Sequence, residues 1–404
     1  MSARAKFRLY YMDISYFSGK MQAYLRYKQI PHELVHIDWR MMTNVILPNT
    51  GMMQVPVVET PDGEWLRDTT PMIDWFEARY PAGPVLPADE YQAFFCRLLE
   101  DYADEWMWRP ALHYRWSFKK DRELYGRRFL EDFIFHPPGT RWLTKRFLIY
   151  RQMKTYIKGD GIRRNTRAHV EGEYRQTLQR LEAILRDSKF LLGDRPSLAD
   201  FGFFASMFRH FSIDPTPARI MREEAPAVYA WVARMWEARH STVDPAGDRK
   251  LQTKISKKLP GNRQNVKWSA KSGRLPEGWQ PILRAIGATY LPYLSAMAHA
   301  SAAGRRKFNV TIEDVEYRNL PVIPYRLWCR KRLQDHFEGL SEGARRKVTA
   351  TLRESGCDQL WEGGQGLLSA QYDSLPRCEG RPVGFFSRVY RYFEGTAWHR
   401  GIRR

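Results

Sequence analysis

Three short groups of residues carry side chains and backbone geometry from which chemistry could be built. The first is Ser15-Tyr16-Phe17-Ser18, two hydroxyls in a turn between an apolar run and an amphipathic pattern. The second is Val55-Pro56, at the mouth of the β-branched run Val57-Val58. An X-Pro bond there can be cis, which turns the chain sharply and leaves the Val55 amide groups facing outward. The third is Asp68-Thr69, just ahead of the helical pattern Met72, Ile73, Trp75, Phe76. At a helix N-terminus an acid and a hydroxyl suit either a cap or an amine-bearing ligand. Farther along, Glu105-Trp106, Trp108 and His113-Tyr114-Arg115-Trp116 gather aromatics around one arginine. Such a cluster can line a pocket for an apolar or aromatic acidic substrate. It equally suits core tryptophans at a helix end with Arg115 as a surface charge.

The elements that must position these groups follow from punctuation and periodicity. Phe7 to Tyr11 reads as a strand, Asp13 to Lys20 as a turn, and Met21 to Lys28 as an amphipathic helix. Ile30 to Ile37 is a second strand and Val55 to Thr60 a third. Tyr80 to Pro87 is a proline-glycine linker, followed by a long helix from Glu90 to Trp108 that Arg109-Pro110 ends or kinks. Val170 to Leu185, Ser197 to Phe211 and Ala225 to Arg239 are further helices. Ser197 and Asp200 have capping-box spacing, with Asp in the usual Glu place. Helical pattern returns at Trp279 to Ala302 and Pro324 to Leu340.

The order strand, turn, helix, strand, turn proline, hairpin, acid-hydroxyl, helix resembles the glutathione transferase superfamily. Leu191-Leu192-Gly193-Asp194-Arg195-Pro196-Ser197-Leu198-Ala199-Asp200-Phe201 matches the capped core helix of its helical domain. The resemblance covers roughly residues 5–240, and longer bacterial transferase-like proteins look similar to the whole chain. It implies an α/β thioredoxin-like domain over residues 1–80 and an all-α transferase domain over 88–242, with a basic insertion at about 115–165. A linker over 243–276 and a mostly helical, basic extension over 277–404 would follow.

The resemblance also assigns roles. Ser15 takes the serine-type position, where helix amides and a hydroxyl stabilise a glutathione thiolate. Ser18, Tyr11 and Tyr16 are its substitutes, since the turn can be placed a residue or so either way. Val55, before Pro56, would pair through its backbone with the cysteine of glutathione; Asp68 and Thr69 would hold the γ-glutamyl end. Trp106, Trp108, His113 and Arg115 would line the pocket for an electrophilic small molecule. Two positions depart from the common pattern: Asp68 is shorter than the usual Glu, and Pro71 stands where a small residue is common. Pro in a first helical turn is tolerated. Each role has a plainer counterpart, Ser15 and Asp68 as caps and Val55-Pro56 as a retained turn.

Composition sets the outer limits. The 404 residues suffice for two or three domains, and 43% hydrophobic and 14% aromatic content indicate a folded chain. No apolar run approaches the ~18 residues of a membrane span, and Met1 to Lys6 has no apolar leader core. Cys96, Cys329, Cys357 and Cys378 lie far apart without a CxxC, which implies free thiols in a reducing, cytoplasmic setting and no zinc site. His113, His32, His36 and His210 lack metal-ligand spacing, so no metal is expected. Gly363-Gly364-Gln365-Gly366 lacks the Lys-Ser/Thr of a phosphate loop.

The net charge is +20, and residues 246–404 hold 29 of the 65 Lys/Arg against 14 of the 45 Asp/Glu. That field favours anionic partners, or is simply a solvated basic surface. Two functions therefore stand. One is conjugation or thiolysis of an electrophile with glutathione. The other is a non-catalytic transferase-like scaffold whose basic extension docks an anionic partner such as RNA or a large complex. The resemblance implies a homodimer, unless the extension covers the usual interface.

Overall fold

A computed structural model describes residues 6–132, 139–243, 273–362 and 375–377. Most of the expected linker, the Gly363-Gly364-Gln365-Gly366 turn and Cys378 lie outside the described residues.

Four strands form the first layer. Phe7–Tyr11 (β1) is followed by the helix Tyr16–Tyr27 (α1) and by His32–His36 (β2), which pairs parallel to β1. Short helical turns at Trp39–Met41, Met42–Ile46 and Leu47–Thr50 lead to Val57–Glu59 (β3) and Trp65–Arg67 (β4). Both later pairings are antiparallel, and the order is β2-β1-β3-β4. The helix Thr69–Arg79 (α2) returns against the sheet. This is the thioredoxin-like layer. Its α1 starts at Tyr16 rather than at the expected Met21. Between the buried Tyr16 and Met21 the helix buries Ser18, Gly19 and Lys20, so the apolar periodicity does not mark its first turn.

The second layer is helical. Glu90–Glu105 (α3) breaks at Trp106-Met107, and Trp108–Ser117 (α4) continues with Pro110 in its first turn, where its missing N–H costs little. Lys119–Asp132 (α5), Arg141–Gln152 (α6), Arg167–Leu185 (α7), Leu198–Ser206 (α8), Pro215–Glu224 (α9) and Pro226–Glu237 (α10) follow. The capping box at the start of α8 is present, with the Ser197 amide donating to Asp200 Oδ2 at 2.9 Å. Asp200 Oδ1 accepts from the Leu191 amide at 2.9 Å and from Trp231 Nε1 at 3.1 Å. The aspartate in place of glutamate thus ties three segments to one buried cap. Between α8 and α3, a Cβ at Gly202 would stand 2.7 Å from the Glu100 Cα, so only glycine allows the helices to approach this closely.

The extension packs on the body. Gln280–Ala285 (α11) and Leu291–Ala302 (α12) are joined by a π turn at Ile286–Tyr290. Trp279 is fully buried and donates to the Leu191 carbonyl at 2.7 Å. Lys307–Ile312 (β5) and Val315–Pro321 (β6) then form an antiparallel hairpin, Pro324–Glu338 (α13) and Glu342–Glu354 (α14) two more helices. Over its described residues the extension is therefore mostly helical, with a hairpin that the sequence did not announce. Residues 375–377 close the β4 edge, where the Pro376 carbonyl accepts the Arg67 amide at 2.9 Å. An edge strand covered in this way is removed from stray pairing.

Candidate functional site

Ser15 caps α1, its Oγ accepting the Ser18 amide at 3.2 Å while its own proton remains able to donate. The Val55-Pro56 bond is cis, and no backbone–backbone hydrogen bond among the described residues holds the Val55 amide or carbonyl. Asp68 caps α2 at a φ of 72° and accepts the Thr70 amide at 3.4 Å. These three elements of the sheet layer converge with α4, α6 and α13 on one cavity of about 280 Å³, which Ser15, Val55, Pro56, Asp68 and Thr69 all line.

The cavity is largely apolar on its helical side. Trp108 stacks on Phe17 with ring centroids 5.9 Å apart, forming a wall beside Ser15. Met12, Met42, Met52 and Met53 contribute pliable thioether surface. The polar exceptions are Glu105, Arg115, Arg151, Gln152, His210 and Tyr325. Burial holds the Asp68 carboxyl above its ordinary range, opposed by the approaching Tyr325 hydroxyl and by Arg332 and Lys20. Asp68 is 4% exposed, and the Tyr325 hydroxyl stands beside it as a side-chain donor. Burial, aided by Arg115, holds His210 neutral, well below the usual imidazole range.

Several expected residues fall elsewhere. Ser18 is fully buried with its hydroxyl accepting the Met12 amide at 3.3 Å. Tyr11 packs edge-on against His36, outside the cavity lining. Tyr16 presents its ring to the cavity, but its hydroxyl turns away and donates to the Ala103 carbonyl at 2.5 Å. Burial there pushes its pKa well up. Of the four candidates only Ser15 brings its hydroxyl to the α1 N-terminus at the cavity.

The helical cluster also divides. Trp106 is buried away from the cavity and donates to Glu173 Oε2 at 2.7 Å. His113 is 1% exposed, between Glu171 at 2.9 Å and the Ser117 hydroxyl at 2.9 Å. Arg115 does reach the cavity, but it is not a surface charge nor open to an acidic substrate. It donates to both Asp214 oxygens at 2.9 and 2.8 Å, to the Ile14 carbonyl at 2.7 Å and to the Arg209 carbonyl at 2.6 Å. Its charge is spent on clamping the turn that carries Ser15. Asp214 is far from Arg115 in sequence, so spacing held no sign of this pair.

The sequence reading missed Arg151, Gln152, Tyr156 and Tyr325, which come from the basic insertion and the extension. It also passed over His169. One ligand atom each of His169, Glu173 and Glu313 lie within 4.8 Å of one another. His169 Nε2 lies 3.2 Å from Glu313 Oε2 and its Nδ1 2.7 Å from the Tyr317 hydroxyl, contacts that fasten the hairpin to α7.

Residues 9–84 match the family model for the glutathione S-transferase N-terminal domain, and residues 147–238 that for the glutathione S-transferase C-terminal domain. Among solved structures, the chain is similar to the beta-etherase LigF from Sphingobium sp. strain SYK-6, at 18% identity and a TM-score of 0.42, covering 62% of this chain and 99% of that one. It is also similar to a glutathione S-transferase from Methylobacterium radiotolerans in complex with glutathione sulfonate, at 19% identity, TM-score 0.38, with 57% and 91% covered. A third is FzlA from C. crescentus, at 17% identity, TM-score 0.39, with 57% and 87% covered. Among the described residues no helix is long and apolar enough to cross a membrane.

Proposed function

Because the chain is a member of the glutathione S-transferase-like superfamily, carrying its N- and C-terminal domains, we propose that it binds glutathione in this cavity and uses its thiolate to conjugate or thiolyse an electrophilic small molecule. The observation that carries this reading is the convergence of the Ser15 hydroxyl at the α1 N-terminus, the cis Val55-Pro56 turn and the buried Asp68 carboxyl on one cavity. An ammonium group meeting a buried carboxylate gains a charge-assisted hydrogen bond. In this reading the γ-glutamyl amine meets Asp68 and Thr69, and the cysteine backbone pairs with Val55. The thiolate sits at the α1 N-terminus, where helix amides and the Ser15 proton lower its pKa. The thiolate, not the serine, attacks; its sulfur bonds the electrophilic carbon and the leaving group departs with the electron pair. The Met and Trp108 wall shelters an apolar electrophile. The buried free thiols Cys96, Cys329 and Cys357 fit a reducing cytoplasm.

Calorimetric titration with glutathione and with cysteinylglycine, which lacks the γ-glutamyl group, tests the assignment. Glutathione should bind well and cysteinylglycine at least tenfold more weakly, and Asp68→Ala should erase the difference. Absence of heat with glutathione overturns the reading.

One observation favours the second reading, a non-catalytic module. The extension already brings the Tyr325 hydroxyl to Asp68, as a chain that had closed its ligand site would. The same titration separates the two.

A further inference from the structure

Helix α6 and its π continuation Met153–Ile157 present two apolar faces, where a helix packed on a domain needs one. The inward face is ordinary: Leu148 and Ile157 are buried at 1% and 4% exposure. The outward face carries Trp142, Leu143, Phe147 and Tyr150, exposed at 59, 54, 50 and 60%. Positions 142, 146 and 150 recur at four-residue spacing beside 143 and 147, so these side chains form one stripe. Half of the eight large exposed hydrophobics among the described residues stand on this stripe, while the others are scattered.

The charges on this helix have one sign. Residues 139–158 contain no Asp or Glu and six Lys or Arg. Arg141 and Lys145 are paired with Glu131 and Glu123 of α5. Arg146 lies over the Trp142 ring at 5.9 Å, and Lys154 over the Tyr150 ring at 5.7 Å. The outward face thus interleaves aromatic rings with cations.

We propose that this face docks the protein on an anionic lipid bilayer surface. A second copy of the same face would bring like charges together. A nucleic acid would satisfy the cations and stack on Trp142 or Tyr150, but it leaves Leu143 and Phe147 without an apolar partner. A headgroup boundary accommodates all four: Trp and Tyr rest at the interface, Leu and Phe enter the acyl edge, and Arg and Lys meet anionic headgroups. No membrane-spanning helix is needed, because the binding is peripheral. The helix is shared with the cavity, which Arg151 and Gln152 line, so docking holds the cavity one helix away from lipid.

Co-sedimentation of the full chain with vesicles tests this independently of glutathione binding. Vesicles containing 30% phosphatidylglycerol should retain the protein at least tenfold better than pure phosphatidylcholine vesicles, and 0.5 M salt should weaken retention. The variant Trp142→Ser/Phe147→Ser, changed only at exposed positions, should melt like the parent yet lose about tenfold in partitioning. Arg146→Glu/Lys154→Glu should abolish the preference for anionic lipid. Equal retention on both vesicles, or retention indifferent to both variants, overturns the proposal. So does a tighter, Trp142-dependent complex with single-stranded RNA, or a dimer in solution that the Trp142→Ser/Phe147→Ser change dissolves.

Discussion

Arg326 of the extension donates its Nε to Glu105 Oε2 at 2.9 Å, with the two side chains 1% and 6% exposed, which binds α13 to the end of α3. Arg326 also donates to the Tyr293 hydroxyl at 2.6 Å and lies 3.5 Å from Asp160 Oδ1. Burial raises the Glu105 carboxyl, and the guanidinium pulls it back toward its charged form. Glu105 lines the cavity, so an arginine of the extension neutralises an acid of the candidate site. Replacing Arg326 with Met should cost roughly 3–5 kcal/mol, because Glu105 is left as an unpaired buried charge. Denaturant melts would show it; a loss within about 1 kcal/mol, the scale of exposed pairs, would mean the extension is not integral to the fold.

Ser15 has two tasks that one substitution can separate. Ser15→Ala should lower stability by about 1 kcal/mol through the lost α1 cap and should raise the pKa of bound glutathione, slowing conjugation more than it weakens binding. Ser15→Asn restores a capping acceptor. If Asn recovers stability but not the thiol pKa, measured by ultraviolet titration of the thiolate, the hydroxyl acts on the ligand. Full recovery of both would leave Ser15 as a cap alone.

Tyr325 and Asp68 give a sharper contrast between the two functional readings. In the catalytic reading Tyr325→Phe leaves the glutathione site intact and shifts an already measurable affinity by at most about a hundredfold, the scale of one hydrogen bond to a charged group. In the module reading the phenol closes the site, and Tyr325→Phe turns a non-binder into a binder of glutathione. Calorimetry on the parent and the variant distinguishes them.

Asp101 predicts a pH dependence. It is buried on α3 near Glu105 and Glu100, and it accepts the Tyr290 hydroxyl at 2.8 Å. Burial, with Glu105 adding to it, pushes its pKa up to about 8 from an ordinary 3.8. The folded chain therefore holds a proton that the unfolded chain has released between those values. Stability contributed by this group is present below pH 3.8 and is lost as pH rises toward 8, by at most about 1.4 kcal/mol per unit. Asp101→Asn cannot ionise, so its stability relative to the parent should climb across that window and level off above it. Parallel melts at pH 5 and pH 8 check the sign; an equal offset at both would contradict the protonated assignment.

What the sequence carried by itself were features written locally. Val55-Pro56, the Asp68 cap and the Ser197-Asp200 box are set by neighbours within a few residues, and each stands where its residue type requires. The hairpin was also locally written, in the alternation of Phe308, Val310 and Ile312 before Glu313-Asp314, both at positive φ. It went unread because no glycine marks its turn. The tertiary structure alone decided the fate of the polar and aromatic cluster. Arg115 belongs to Asp214, Trp106 to Glu173 and Arg326 to Glu105, partners far apart along the chain. A buried charge takes whichever counter-charge the packed core brings within about 3 Å, and no spacing rule encodes that choice. For the same reason the cavity wall formed by Arg151, Gln152 and Tyr325 could be seen only once the insertion and the extension had folded onto the body.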